Sequence, residues 1–430
     1  MRVLVTGAYG LIGSAILARL QRDGHALVGA GRATAEAERR FPYAQWIRAD
    51  FARLTSADAW QPMLGGFDAV VNCVGVLQDD ARDQVSRVQV DGTVALFDAC
   101  VRAGIHRIIH VSAIGAAPQG PTPFSRTKAQ ADAHLTSLDI DWVILRPALV
   151  LAPAAYGGTA MLRGLAGMPF PIPALDSRVQ VVSVDDVAET VALCLRAGAP
   201  AKVTWELAHP HVHALGEIVA RLRRWHGFPP QPQWRLHPAG QRLIGMAAGL
   251  AGMLGWRSPA RATALVQLDA GVIGDPAAWT RATGINPKSL DTIFAERPAS
   301  VQDRWFARLY WLKPAAIVAL AVFWIITGLV ALGPGRDAAV GYLLQAGFGP
   351  RTAQLVLLLG SLFDIAMGAA LCVWHLSKRV LQLMLLVTPI YLLVGTITAP
   401  MLWLDPLGPY VKIIPMLLAT ALTLAIIDER

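Results

Sequence analysis

Thr6-Gly7-Ala8-Tyr9-Gly10-Leu11-Ile12-Gly13 places three glycines at a spacing suited to cradling a dinucleotide. Gly7 allows a tight turn, Gly10 lets a pyrophosphate approach the backbone, and Gly13 lets the next helix pack closely on a sheet. Tyr9, Leu11 and Ile12 complete the loop and the first helical turn, whose N–H groups attract phosphate. After the next apolar run stands Arg32. An acid there would bind both ribose hydroxyls of NAD, whereas an arginine suits a 2′-phosphate, so NADP is favoured over NAD. Asp50 ends a third run and either accepts from an adenine amino group or caps a helix. His209, His211 and His213 form a metal-like tract, but Pro210 sets them in a turn with no adjacent carboxylate or cysteine cluster, so no metal is assigned. At the other end of the chain, Asp364 sits deep in an apolar segment. An acid within a membrane is costly and faces a partner, cavity or ligand. Thr327, Thr388, Tyr391, Thr396 and Thr398 are its candidate partners; a structural bond, a quinone-headgroup contact and a proton-linked role all stay open.

The elements that must position these residues alternate in type. Strands are expected at Val3–Val5, Ala26–Ala30, Trp46–Ala49, Asp68–Gly75, His106–Ser112, Asp141–Pro147 and Lys202–Leu207, most of them separated by helices. This pattern indicates an α/β fold with a Rossmann-type, doubly wound parallel sheet. Ligands of such sheets lie at the carboxyl ends of the strands, where Gly75, Ser112 and Pro147 stand. A helix is expected over 82–103 and another from about Ser125, containing Lys128. Residues 1–150 are read as the nucleotide-binding domain and 151–300 as a small C-terminal lobe. Residues 239–256 read either as an amphipathic helix resting on a membrane or as an internal packing helix. Val266 to Asn286 reads as a further helical piece.

The last part, 308–430, reads as an all-α bundle of four transmembrane helices: Ala315–Leu332, Thr352–Trp374, Val380 to about Leu404, and Val411–Ile427. Tight connections are expected at Ser377 and at Pro406-Leu407-Gly408-Pro409. Pro389 and Pro400 should distort the third helix, and Gly360 and Gly368 should permit close packing. Lys313, Lys378 and Arg379 bias one side of the bundle toward the cytoplasm. With no signal peptide before the first strand, the nucleotide-binding module and both termini are expected on the cytoplasmic face of an inner membrane.

Composition agrees with this division. Only 16% of the 430 residues are charged, 54% are hydrophobic, and the formal net charge is +8. The arginines are scattered, without the clustered basic stripe of a nucleic-acid binder, so no nucleic-acid partner is expected. The positive balance suits an anionic membrane surface. The four cysteines have no C-x-x-C spacing and read as small buried hydrophobes.

Residues 1–295 resemble the atypical extended short-chain dehydrogenase/reductases, closest to the branch containing the accessory NAD(P)-binding subunit of respiratory complex I. The resemblance rests on the Thr6–Gly13 loop, Asn72–Gly75, Val111-Ser112-Ala113, Ser125-Arg126-Thr127-Lys128 and Val184-Asp185-Asp186-Val187-Ala188. It implies that Lys128 binds the nicotinamide ribose and that Ser112 holds a substrate carbonyl. The family tyrosine that moves the substrate proton stands four residues before the lysine. Here that position is Phe124, which has no ionisable oxygen and cannot be a general acid or base. Residues 308–427 resemble the DoxX-like four-helix membrane family, on span order and the Gly360-x-x-x-Asp364 pattern.

Three functions follow from these resemblances. In the first, a membrane-anchored protein binds NAD(P)(H) through Gly7, Tyr9, Gly10, Leu11, Ile12, Gly13, Arg32, Asp50, Gly75, Ser112, Lys128 and Pro147, and passes hydride to a quinone or other apolar acceptor. In the second, it is a non-catalytic cofactor-binding scaffold, sensor or assembly factor for a membrane respiratory complex. A lipid reductase or isomerase with a displaced acid or base is a third.

Overall fold

The computed structural model describes residues 1–77, 84–234, 238–256, 266 and 271–428. The chain divides into two units, Met1–Gly249 with Pro259–Ala307, and Leu250–Ser258 with Arg308–Arg430.

The first unit is built on a seven-stranded sheet. Its strands are β1 (Arg2–Thr6), β2 (Ala26–Gly31), β3 (Gln45–Arg48), β4 (Ala69–Asn72), β5 (Arg107–Val111), β6 (Asp141–Pro147) and β7 (Val203–Leu207). They lie in the order β7-β6-β5-β4-β1-β2-β3, every neighbouring pair parallel. The sheet therefore takes its seventh strand from beyond residue 150. The runs Val3–Val5, Ala69–Val71 and Ile108–Ile109 are buried because helices cover both faces, one apolar cluster lying on each. Strand order reverses between β1 and β4, which opens a crevice at the carboxyl ends of those strands.

Two helices differ from expectation. The segment expected from residue 82 runs as a π-helix over Arg87–Asp91 before the α-helix Gly92–Arg102, and its first residues lie outside the described ones. The Lys128 helix begins earlier, at Pro123. Thr122 and Ser125 form a reciprocal capping box, and proline at the first position needs no hydrogen-bond partner for its nitrogen. The helix Val184–Cys194 is capped by Ser183 and carries Asp185 and Asp186 in its first turn. The helix Pro238–Met253 exposes Leu243, Met246, Leu250 and Met253, an apolar stripe at helical spacing. Part of the piece expected over 266–286 lies outside the described residues; within it, Ala277–Thr283 is helical.

The second unit contains most of the apolar helices. Val301–Leu332, Pro350–Leu371 and Trp374–Thr398 are long and apolar enough to cross a membrane. The fourth apolar helix, Ile413–Ile426, is shorter: its 14 residues rise roughly 21 Å at about 1.5 Å each, against a hydrocarbon core near 30 Å. The break between the second and third helices falls at Cys372-Val373. Ser377, Lys378 and Arg379 are therefore in the first turns of the third helix, not in a connection. Pro389 lies inside that helix, whereas Pro400 follows its end and opens a short 3-10 turn. Between the first and second of these helices lies a further helix, Arg336–Gln345. Close helix approach uses Gly368, where a Cβ would fall 2.6 Å from the carbonyl oxygen of Ala321; Gly360 faces open space instead.

Candidate functional site

The glycine loop leaves β1 with Gly7 in the left-handed region at φ 65°. A Cβ on Gly13 would lie 2.4 Å from the Gly7 carbonyl oxygen, so a side chain there would force the loop off the helix. Gly10 is the N-cap of the helix Leu11–Arg22 and provides no side-chain cap, and no acid lies in the first turn. The unsatisfied N–H groups of that turn suit an anion. The left-handed turn at Gly7 and the uncapped helix start together form a cradle whose donors fit a pyrophosphate.

Tyr9 reaches across Gly31 to the end of β2, where its hydroxyl accepts from the Arg32 backbone N–H at 3.1 Å. Arg32 itself is exposed beyond β2. Asp50, after β3, turns its carboxylate to the Ala52 N–H at 3.2 Å and forms a local turn. Gly75 follows β4, and a Cβ there would lie 3.6 Å from Lys128 Nζ, so the loop after β4 and the lysine are neighbours. Pro147 is buried at the end of β6.

Lys128 is buried, and Nζ donates to the carbonyl oxygens of Val111 at 2.9 Å and Val74 at 3.3 Å. An ammonium has three donors, so one remains for a ligand. Burial lowers its pKa to about 8, with Asp132 acting in the opposite direction. Phe124, Lys128 and Asp132 are four residues apart and share one helical face. Phe124 is half-buried one turn before the lysine.

Asp132 is the residue that sequence reasoning missed. Its Oδ2 accepts from Ser112 Oγ at 3.0 Å and from Arg146 Nε and Nη2 at 3.0 and 2.8 Å. His110 Nε2 stands 3.6 Å from Asp132 Oδ1 without a hydrogen bond, and Nδ1 of the same ring faces Asn72 Nδ2 at 3.2 Å. Burial, reinforced by Lys128 and Arg146, holds His110 neutral. Asn72 Oδ1 in turn accepts from Thr6 Oγ1 at 2.6 Å and from the Val74 N–H. This polar chain runs beneath the crevice from β1 to β6. Two signals were available: Asp132 is one turn beyond Lys128, and His110 is two residues before Ser112 on the same strand face. A carboxylate held by an arginine fork accepts only, so the Ser112 proton is committed to Asp132 and its oxygen offers lone pairs. The arrangement can hold a ribose and a ring, but it presents neither a proton donor at position 124 nor a free hydroxyl proton at Ser112.

The bundle holds a second polar point. Tyr391 donates to Asp364 Oδ1 at 3.2 Å, and its ring lies 6.4 Å from that of Trp324. Of the other candidate partners, Thr327, Thr396 and Thr398 bond instead to carbonyls of their own helices. The histidine tract also differs from expectation. Glu217, in the first turn of the next helix, is folded back to within 4.8 Å of the ligand atoms of His211 and His213. A carboxylate therefore does accompany the tract, because His213 and Glu217 are four residues apart at a helix start.

Residues 7–197 match a family model described as NAD(P)H-binding, and residues 321–421 match one described as a DoxX-like family. A UDP-glucose 4-epimerase of Mycolicibacterium smegmatis is 30% identical over 240 residues, covering 47% of this chain and 74% of that protein. An uncharacterized protein of Mycobacterium tuberculosis is 29% identical over 196 residues, 45% of this chain, and the chain spans only 20% of that protein's length. Among solved structures, the Bordetella bronchiseptica enzyme WbmG in complex with NAD superposes with a TM-score of 0.53 at 18% identity, covering 68% of this chain and 91% of that one. At that identity the likeness is one of fold.

Proposed function

Because this chain belongs to the atypical extended short-chain dehydrogenase/reductases and carries a DoxX-like domain near its C-terminal end, we propose that it is a membrane-bound NAD(P)(H)-dependent redox protein whose hydride partner exchanges its proton elsewhere. The observation that supports this reading is the face Phe124, Lys128, Asp132, which offers Lys128 to a ribose and carries no ionisable oxygen at position 124. When bound, the dinucleotide supplies or takes up hydride at its nicotinamide. The glycine loop holds its pyrophosphate, Arg32 a 2′-phosphate, and the remaining N–H of Lys128 a ribose hydroxyl. Phe124 forms an apolar wall that excludes water. A quinone suits this site as acceptor: it gains one hydride from the cofactor and one proton from water, and needs no acid at position 124. The module lies on the cytoplasmic side of the inner membrane, a placement supported by Lys313, Lys378 and Arg379.

The test uses the full-length protein in mild detergent with lipid. Nucleotide that copurifies is identified first, and oxidation of NADPH and NADH is then followed with a panel of short-chain quinones. Quinone-dependent oxidation that Lys128→Met abolishes supports the proposal. Tight nucleotide binding with no turnover across the panel overturns it in favour of a non-catalytic scaffold, sensor or assembly factor. That second reading draws on the same network, since Ser112 and two donors of Lys128 are spent on the protein itself.

A further inference from the structure

We infer that His211, His213 and Glu217 form a binding site for a divalent transition metal, with zinc the best fit. Their ligand atoms lie within 4.8 Å of one another, and two imidazoles with one carboxylate are a donor set that zinc accepts. The spacing of one pair already matches a metal edge. His213 Nδ1 lies 3.3 Å from Glu217 Oε2. Two donors at about 2.0–2.1 Å from a tetrahedral ion are roughly 3.3–3.4 Å apart.

A second observation points the same way. His213 is 5% exposed, and its Nδ1 is buried with no hydrogen-bond partner among the described residues. A ring nitrogen left in that state carries a desolvation cost that a metal bond would remove. The surroundings are those of a ligand set. Arg221 lies 3.5 Å from the other carboxylate oxygen, Glu217 Oε1, and so orients the group without covering Oε2. The His211 ring stands edge-on to that of His213 at 4.5 Å, and its exposed side chain can close the remaining distance by rotation. His209 Nδ1 accepts from the His211 backbone N–H at 3.1 Å, which pins the turn. A bound ion would tie this turn to the first turn of the helix Leu215–Trp225, within the first unit and apart from the glycine loop. Its role is therefore structural, and it stands whether or not the redox reading holds.

The probe is zinc alone, titrated into chelator-treated full-length protein, with cobalt as a coloured substitute. The expected result is one equivalent bound, a rise in Tm, and cobalt absorption bands of a low-symmetry four- or five-coordinate site. His211→Ala, at an exposed position, and Glu217→Gln should keep nucleotide binding and weaken zinc at least about tenfold, the lower end of what even an outer partner is worth. Absence of a zinc-dependent Tm shift overturns the inference. So does a shift of equal size in His211→Ala, which would place the ion on others of the ten histidines.

Discussion

At the scale of single residues, the proposal depends on where a few protons are held. Lys128 retains one donor for a ligand, and a hydrogen bond to a charged group contributes about 1.5–3 kcal/mol. Lys128→Met is therefore expected to weaken dinucleotide binding about 10- to 100-fold, read by calorimetric titration. Phe124→Tyr restores an ionisable oxygen, but the Ser112 hydroxyl still donates its proton to the hydrogen bond with Asp132. No carbonyl reduction is expected from this change alone, and measurable turnover of a carbonyl panel would refute the assignment of that proton. Removing Asp132 would leave the Arg146 fork and Ser112 unpaired. Breaking a buried pair in this way costs about 3–5 kcal/mol, so Asp132→Ala should lower Tm by several degrees. His226 is 1% exposed, and burial lowers its pKa to about 4, with Arg163 adding to the effect. The unfolded chain, with the ordinary value near 6.5, binds the proton first. Its contribution to stability is complete above about pH 6.5 and is lost as pH falls toward 4. In denaturant titrations, His226→Phe should flatten that part of the profile; an unchanged slope would remove His226 from the account.

At the scale of elements, the sequence was most legible where one pattern had one solution. The strand, glycine turn and helix at residues 3–22 follow from an apolar run, three glycines and an amphipathic continuation, and they form as expected. Ends were less legible. Thr122 begins the Lys128 helix because it and Ser125 cap each other, a pairing that propensity alone does not rank above neighbouring starts. In the bundle, Ser377 and Lys378 looked like a connection because they are polar. They are helical because the helix break falls earlier, at Cys372-Val373, and Ser377 Oγ donates back to the Trp374 carbonyl within the new helix. The acid at Asp364 was visible as an anomaly, but choosing Tyr391 among five candidate partners required the rotational setting of two helices. An asparagine oxygen accepts that bond equally well. Asp364→Asn should leave Tm nearly unchanged, since hydrogen bonds between membrane helices average about 0.6 kcal/mol. If turnover with apolar acceptors falls while Tm holds, Asp364 acts on the acceptor; if neither changes, it is a structural bond.

At the scale of the whole molecule, the pairing of a nucleotide-binding unit with apolar helices was legible from composition. Charge thins out where the apolar segments begin, and the two family matches fall on either side of that change. The proposed preference for NADP rests on Arg32, which stands just beyond the end of β2 beside Tyr9. Arg32→Asp should shift binding from NADPH toward NADH, measured as the ratio of the two dissociation constants. An unchanged ratio would remove Arg32 from cofactor choice. The residues by themselves determined the glycine turn, the parallel sheet, the apolar helices and the absence of an ionisable oxygen at position 124, since each depends on local pattern or on side-chain chemistry. Only the tertiary structure decided that Ser112 donates to Asp132, that Tyr391 meets Asp364, and that Glu217 joins the histidines. Those contacts join residues by helical phase, strand order and turn direction, and such geometry exists only once the elements have packed.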